Sequence, residues 1–327
     1  MSKSGEFVCW RGFTPPGRGE APSPHVHHLR RCLPWLAVLL VALLFSEAHA
    51  QGRIDCKTLE SRILSQTVHY CVMLPPNYDN ATAGSSPRRF PVLYFLHGLG
   101  DNEQTLFKSG GWDLVEDLRQ QKQISDFLIV TPEGMRSFYV NSADGRVRYG
   151  DFFIREFVPY IDSHYSVRRE RAARAISGVS MGGYGALRFA FAHPELFSSV
   201  SAQSAALFVE APREAEAAFG ATPRGGLLGA VFGNPVDLGH WNQNSPFVLA
   251  KQNRARIRNT GLSIYFNCGR DDDFGFDKGA GELHRQLQSE GIQHEFHLYP
   301  GNHDAAYFLA HLGETLMFHS RVFAGEK

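Results

Sequence analysis

A serine hydroxyl is a weak nucleophile until a base takes its proton, and it needs a backbone that lifts it clear of its neighbours. Gly178-Val179-Ser180-Met181-Gly182 has the residue types for that arrangement. The apolar run Ala175 to Val179 reads as a strand, and a helical pattern opens at Met181. A strand passing into a helix through so tight a turn pushes the Ser180 hydroxyl above the edge of a sheet. Side chains two residues to either side would collide with that turn, so positions 178 and 182 call for glycine.

A base and an acid must then follow in the chain, in the order serine, acid, histidine. His303 stands in Tyr299-Pro300-Gly301-Asn302-His303-Asp304, directly after the last predicted strand. The other late histidines have poorer places. His284 falls in a predicted helix, His294 and His297 in a strand, and His311 and His319 in a terminal helix. The acid belongs in Cys268-Gly269-Arg270-Asp271-Asp272-Asp273, after the run Leu262 to Asn267. Three adjacent aspartates compete there, and periodicity does not separate them. They do not form a calcium loop, because Gly275 takes the place of a needed ligand.

The tetrahedral intermediate of acyl transfer also needs two amides to hold its oxyanion. One comes from the residue after the nucleophile, Met181. The other comes from the loop His97-Gly98-Leu99-Gly100, which follows the apolar run Pro91 to Leu96. His97 reads as a brace for that loop. No phosphate loop, dinucleotide fingerprint or cysteine pair at zinc spacing is present. His25-Val26-His27-His28 lies before the apolar run of a leader, so the reading is no metal and no cofactor.

Strands and helices alternate in the way these residues require. Val68 to Leu74 ends at Pro75-Pro76 and reads as an outer strand. Phe127 to Val130, Val200 to Ala202 and His294 to Tyr299 are further strands. Trp112 to Gln121, Phe152 to His164, Met181 to Ala192 and Gly279 to Glu290 read as helices. This alternation predicts an α/β fold, a mostly parallel central sheet with helices on both faces. Residues 207–244 are rich in Gly and Ala and read as an irregular, lid-like excursion.

The 327 residues carry 33 basic and 33 acidic side chains, with no basic stripe to suit a nucleic acid. Residues 1–50 read as a signal peptide and N-terminal extension. Arg30 and Arg31 precede the apolar run Leu33 to Phe45, and Ala48-His49-Ala50 supplies a small-x-small cleavage pattern. The run is short for a bilayer core of about 30 Å, so no stable membrane anchor is expected after cleavage. Residues 51–327 then form one periplasmic or secreted domain. Residues 54–61 and 67–74 read as a hairpin turning near Leu64-Ser65, which brings Cys56 and Cys71 opposite each other or one diagonal step apart. Export into an oxidising compartment would let them join, leaving Cys268 free.

Taken together, these segments resemble the esterase family of α/β-hydrolases that includes bacterial feruloyl and tributyrin esterases, S-formylglutathione hydrolases and the antigen 85 mycolyltransferases. The likeness is carried by Val72-Met73-Leu74-Pro75-Pro76, Leu96-His97-Gly98-Leu99-Gly100, Gly178 to Leu187, Ser245-Pro246, Cys268 to Asp272 and Gly301-Asn302-His303-Asp304. The resemblance implies the α/β-hydrolase fold and a triad of Ser180, Asp272 and His303. It also implies oxyanion amides from Leu99 and Met181, and a substrate pocket lined by Trp112, Tyr139 and Asn141. Two departures narrow the choice. S-formylglutathione hydrolases usually carry His where Val179 stands. Antigen 85 proteins have Asp at the position of His97 and a Glu as acid.

The activity these residues imply is hydrolysis of carboxylic esters through an acyl-enzyme. Expected substrates are small-molecule or polysaccharide-linked esters, such as feruloyl, acetyl or short-chain acyl groups. Competing readings are an acyltransferase of the mycolyltransferase type, an S-formylglutathione hydrolase, and a non-catalytic carbohydrate- or surface-binding protein on the same fold.

Overall fold

The computed structural model describes residues 51–76, 78–83, 87–211 and 223–326. The predicted leader at residues 1–50, with its His25–His28 cluster, lies outside the described residues. So do residues 212–222 of the stretch read as a lid.

The strands are β1 (Arg53–Ser61), β2 (Gln66–Leu74), β3 (Val92–Leu96), β4 (Leu128–Pro132), β5 (Arg174–Val179), β6 (Ser199–Gln203), β7 (Ser263–Gly269) and β8 (Glu295–Tyr299). They form one sheet in the order β1-β2-β4-β3-β5-β6-β7-β8. From β4 to β8 neighbours are parallel, while β1–β2 and β2–β4 are antiparallel. The sheet is therefore mostly parallel, as expected. One expectation needs correcting. The Val68–Leu74 segment is not an outer strand, because β1 covers its free edge. Its buried run Tyr70–Leu74 reflects that position one strand in from the edge.

The helices are α1 (Tyr78–Thr82), α2 (Trp112–Gln120), α3 (a run of Tyr149–Phe152, the π turn Phe153–Phe157 and Val158–His164) and α4 (Met181–Ala192). After them come α5 (Pro223–Phe232), α6 (Leu238–Asn244), α7 (Pro246–Gln252), α8 (Arg254–Thr260), α9 (Phe276–Ser289) and α10 (Ala305–Ala324). Residues 223–232 and 238–244 are thus helical, which corrects the irregular reading of that stretch. Its glycines hid the signal, but Asp237 caps α6 by accepting from the His240 amide, and Trp241 is buried.

Side chains alternate across the pleat, so each strand serves two cores. On one face Tyr94, Leu96 and Ile176 meet Phe153, Phe157 and Phe189 of α3 and α4. On the other, Leu93, Phe95 and Ala175 meet Val115 and Leu118 of α2 and Leu312 and Leu316 of α10. Cys56 and Cys71 are direct partners in the β1–β2 register and are joined by a disulfide. Cys268 is free and buried. Among the described residues, no helix is long and apolar enough to cross a membrane.

Candidate active site

Ser180 caps α4 with φ 53° and ψ −118°, a conformation that non-glycine residues rarely adopt. The surroundings hold it there. The Ser180 amide donates to the Gln203 carbonyl at 2.9 Å, and the Ser180 carbonyl accepts from the amides of Tyr184 and Ala206 at 3.0 Å. A Cβ on Gly178 would overlap the backbone of Gly182, and one on Gly182 would overlap the Leu96 carbonyl. Both glycines are thus required by close approach of main chain, and the second sets α4 against the end of β3.

The β7–α9 and β8–α10 loops bring the other two groups to Ser180. The Ser180 Oγ lies 2.9 Å from His303 Nε2, and His303 Nδ1 lies 2.7 Å from Asp272 Oδ2. The ionised carboxylate only accepts, so Nδ1–H donates to it and Nε2 keeps its lone pair for the serine proton. The Asp272 side chain is fully buried. Burial alone would raise its pKa. The hydrogen bond from His303, with amides from Phe274 and Phe276, outweighs that and leaves it below the ordinary carboxylate value. The Cys268 thiol, pushed up to about 12 by burial, stays protonated and lies 3.6 Å from the same carboxylate oxygen. Asp271 and Asp273 are exposed and take no part in this cluster.

Leu99 and Met181 both line the cleft over Ser180. Met181 opens α4, where the first amides have no acceptor within the helix. A Cβ on Gly98 would stand 3.6 Å from the Ser180 Cβ, so the loop carrying Leu99 lies directly against Ser180. His97 fastens that loop. Its Nε2 accepts from the Gly134 amide at 2.7 Å, which leaves Nδ1–H to donate to the Gly98 carbonyl at 2.8 Å. Burial lowers the His97 pKa and keeps the ring neutral for this pair of roles.

The cleft has a volume of about 580 Å³. One arm runs between the start of α10 and the kinked turn Phe107–Gly111, walled by Phe95, Leu106, Val179, Phe308, Leu309 and Leu312. Phe274, Phe138 and Arg136 line the cleft as well. Trp112, Tyr139 and Asn141 do not line it, which corrects the expected pocket. Trp112 opens α2 and, half-buried, packs against the core on that face. Tyr139 is fully buried beneath the oxyanion loop, its hydroxyl donating to the His97 carbonyl. Asn141 accepts from the Asp151 amide. Gly111 and Phe138, one residue before two of these, are the ones that face the cleft. Phe308, Leu309 and Leu312 escaped the sequence reading, although they follow His303 on a helix whose first turns must border it. Among the described residues no cluster suited to a metal ion occurs.

A family model described as Esterase matches residues 61–319. An esterase of Mycobacterium tuberculosis is 31% identical over 256 residues, covering 71% of this chain and 51% of the relative. An acetyl esterase of Caldicellulosiruptor saccharolyticus is 28% identical over 239 residues, covering 71% of this chain and 84% of its own length. The chain spans about half the length of the Mycobacterium tuberculosis relatives it matches. Among solved structures, a ferulic acid esterase aligns with TM-score 0.70 and 26% identity, over 84% of this chain and 99% of that one. An S-formylglutathione hydrolase of Staphylococcus aureus aligns with TM-score 0.67 and 20% identity, over 83% and 100%, a likeness of fold alone. The family match over residues 61–319, on an eight-stranded α/β-hydrolase sheet, means that this chain belongs to the esterase family.

Proposed function

We propose that the protein is an exported serine carboxylesterase acting through an acyl-enzyme. The observation that carries this reading is the unbroken relay Ser180 Oγ, His303 Nε2, His303 Nδ1, Asp272 Oδ2, with each link at hydrogen-bond distance. Ser180 attacks the ester carbonyl as His303 takes its proton. The Leu99 and Met181 amides hold the oxyanion. His303 then returns the proton to the departing alkoxide, and Asp272 keeps the ring in the right tautomer and stabilises its charge. Water repeats the cycle to release the acid. The acyl group lies in the arm beside α10 and the alcohol leaves by the mouth. Feruloyl, acetyl and short-chain acyl esters, free or on polysaccharide, are the substrates proposed. The names of the acetyl esterase and ferulic acid esterase relatives support that choice. The predicted leader and the Cys56–Cys71 disulfide support an exported, oxidising location.

Turnover of p-nitrophenyl acetate by wild type and Ser180→Ala tests this. The expected result is a loss of about 10⁴-fold or more with unchanged melting behaviour. Near-native turnover by a folded Ser180→Ala protein contradicts it.

A further inference from the structure

We infer that Asn302 is a positioning residue for the reaction: its side-chain oxygen ties the loop of the acid to the loop of the base and so sets the contact between Asp272 and His303. The inference rests on the esterase reading above and deepens it.

Asp272 and His303 stand on separate loops, 31 residues apart in sequence. The strands that carry them, β7 and β8, are parallel neighbours whose register ends at Gly269 and Tyr299, so the loops beyond need other ties. The main chain supplies two. The Arg270 amide donates to the Tyr299 carbonyl at 2.8 Å, and the Asp271 amide donates to the Gly301 carbonyl at 3.1 Å. A Cβ on Gly269 would overlap the Gly301 carbonyl, so the two loops touch there. A side chain then takes over from the main chain. Asn302 Oδ1 accepts from the Asp273 amide at 3.0 Å and from the His303 amide at 2.8 Å. Only the oxygen of an amide group accepts, so these two donors fix which end of the Asn302 side chain is which.

The ties fall on both sides of the acid. Asp271 and Asp273 flank Asp272, and each gives its amide to the chain just before His303. On the far side of His303, Asp304 caps α10 by accepting from the Tyr307 amide at 2.8 Å. The base is thus held between a capped helix and the Asn302 oxygen. Removing that oxygen frees the Asp273 and His303 amides together and leaves Asp272 with one flanking tie in place of two. Misplacing catalytic groups by about 1 Å can cost about 10²-fold in rate. Asn302 is half-buried and is not one of the residues that line the cleft, so it acts through Asp272 and His303 and not on the substrate.

The test measures kcat and KM for p-nitrophenyl acetate at pH 8 in wild type, Asn302→Leu, Asn302→Ala and Asn302→Asp, with Ser180→Ala beside them. Leu and Ala lack the acceptor, while ionised Asp keeps it in nearly the same shape. The expected result is a kcat lowered about tenfold or more in the Leu and Ala variants, with KM within about threefold of wild type. The Asp variant should recover kcat to within about threefold of wild type. Wild-type kcat in Asn302→Leu and Asn302→Ala, with Ser180→Ala inactive, overturns the inference and leaves ester hydrolysis standing. So does an Asp variant as slow as the Leu variant, or an effect on KM alone. Failure of both Leu and Ala variants to fold also overturns it, since Asn302 would then serve the fold. Near-native turnover by Ser180→Ala overturns the inference together with the reading it rests on.

Discussion

Both faces of the central sheet bury apolar side chains, but among the described residues only the face under α10 adds a network of polar ones. Under α3 and α4, the side chains of Tyr94, Ile176 and Val200 meet Phe153, Phe157 and Phe189, and Phe153 stacks on Phe189 at 4.5 Å between ring centroids. Under α10, the same strands present Ser177, Ser199, Ser201, Gln203 and Asn267, bonded to one another, to His319, to Tyr307 and to the Phe308 carbonyl. The aromatic face holds through area removed from water, which tolerates small shifts. The face under α10 adds these directed bonds to the apolar cluster of Leu93, Phe95, Ala175, Leu312 and Leu316, and its strands lead straight to Ser180 and, through β7, to Asp272. Directional bonding fixes position to within a few tenths of an ångström, which a proton relay needs and a hydrophobic core does not.

The comparison breaks most sharply at the end of the polar face. Asp272→Asn is expected to cost up to about 10⁴ in turnover, by leaving His303 in the wrong tautomer, while the protein melts near the wild-type temperature. Asp271→Asn and Asp273→Asn, both exposed, should each stay within about tenfold of wild type. A larger loss at Asp271 than at Asp272 would refute the assignment of the acid.

Phe189→Ala should do the reverse. Emptying a fully buried ring site is expected to cost about 3–5 kcal/mol in denaturant unfolding, with kcat per folded molecule within a few fold of wild type. A rate loss matching that at Asp272 would erase the distinction between the faces.

The β1–β2 hairpin packs on both faces and carries a covalent link of its own. Replacing Cys56 and Cys71 together by Ser frees a closed loop with a sequence separation of 15, worth about 3 kcal/mol in the chain-entropy model. Activity should persist in the cold. Thiol titration of unreduced, denatured wild type over residues 51–327 should find one thiol, Cys268, and three would remove the bridge.

The smallest effect expected is a pH slope. Burial pushes His319 down to about 3, so it stays neutral in the fold, whereas in the unfolded chain it binds a proton below about 6.5. A depressed folded pKa contributes stability that is whole above about pH 6.5 and declines as pH falls toward about 3. His319→Gln should therefore flatten the fall in melting temperature between pH 7 and pH 5. Parallel curves would show that the polar face does not depend on a neutral imidazole.

The aromatic face is also the part that sequence reveals. Continuous apolar runs such as Val92–Leu96 mark strands buried on both sides, and all eight strands follow, β6 only in part, from apolar patterning together with a turn at Leu64-Ser65. The polar face hides. Ser199 and Gln203 are polar, so apolar patterning predicts β6 only from Val200 to Ala202 and leaves Gln203 outside it. Ser180 was legible because main-chain crowding forces both glycines, and His303 because it follows the last strand. Asp272 was not legible from the residues alone. Three aspartates share one polarity, and only the depth of the loop separates them. The pocket was misplaced by one residue at Gly111 and Phe138, since neighbouring residues in a loop with positive φ at Phe138 and Tyr139 turn to opposite sides.

The most direct test is covalent. The protein is incubated with a fluorophosphonate probe and the modified residue is mapped by peptide mass spectrometry. A single adduct on Ser180, formed far more slowly in His303→Ala, is the predicted result. A folded, ester-cleaving protein that takes no adduct, or takes it at another residue, would contradict Ser180 as the nucleophile.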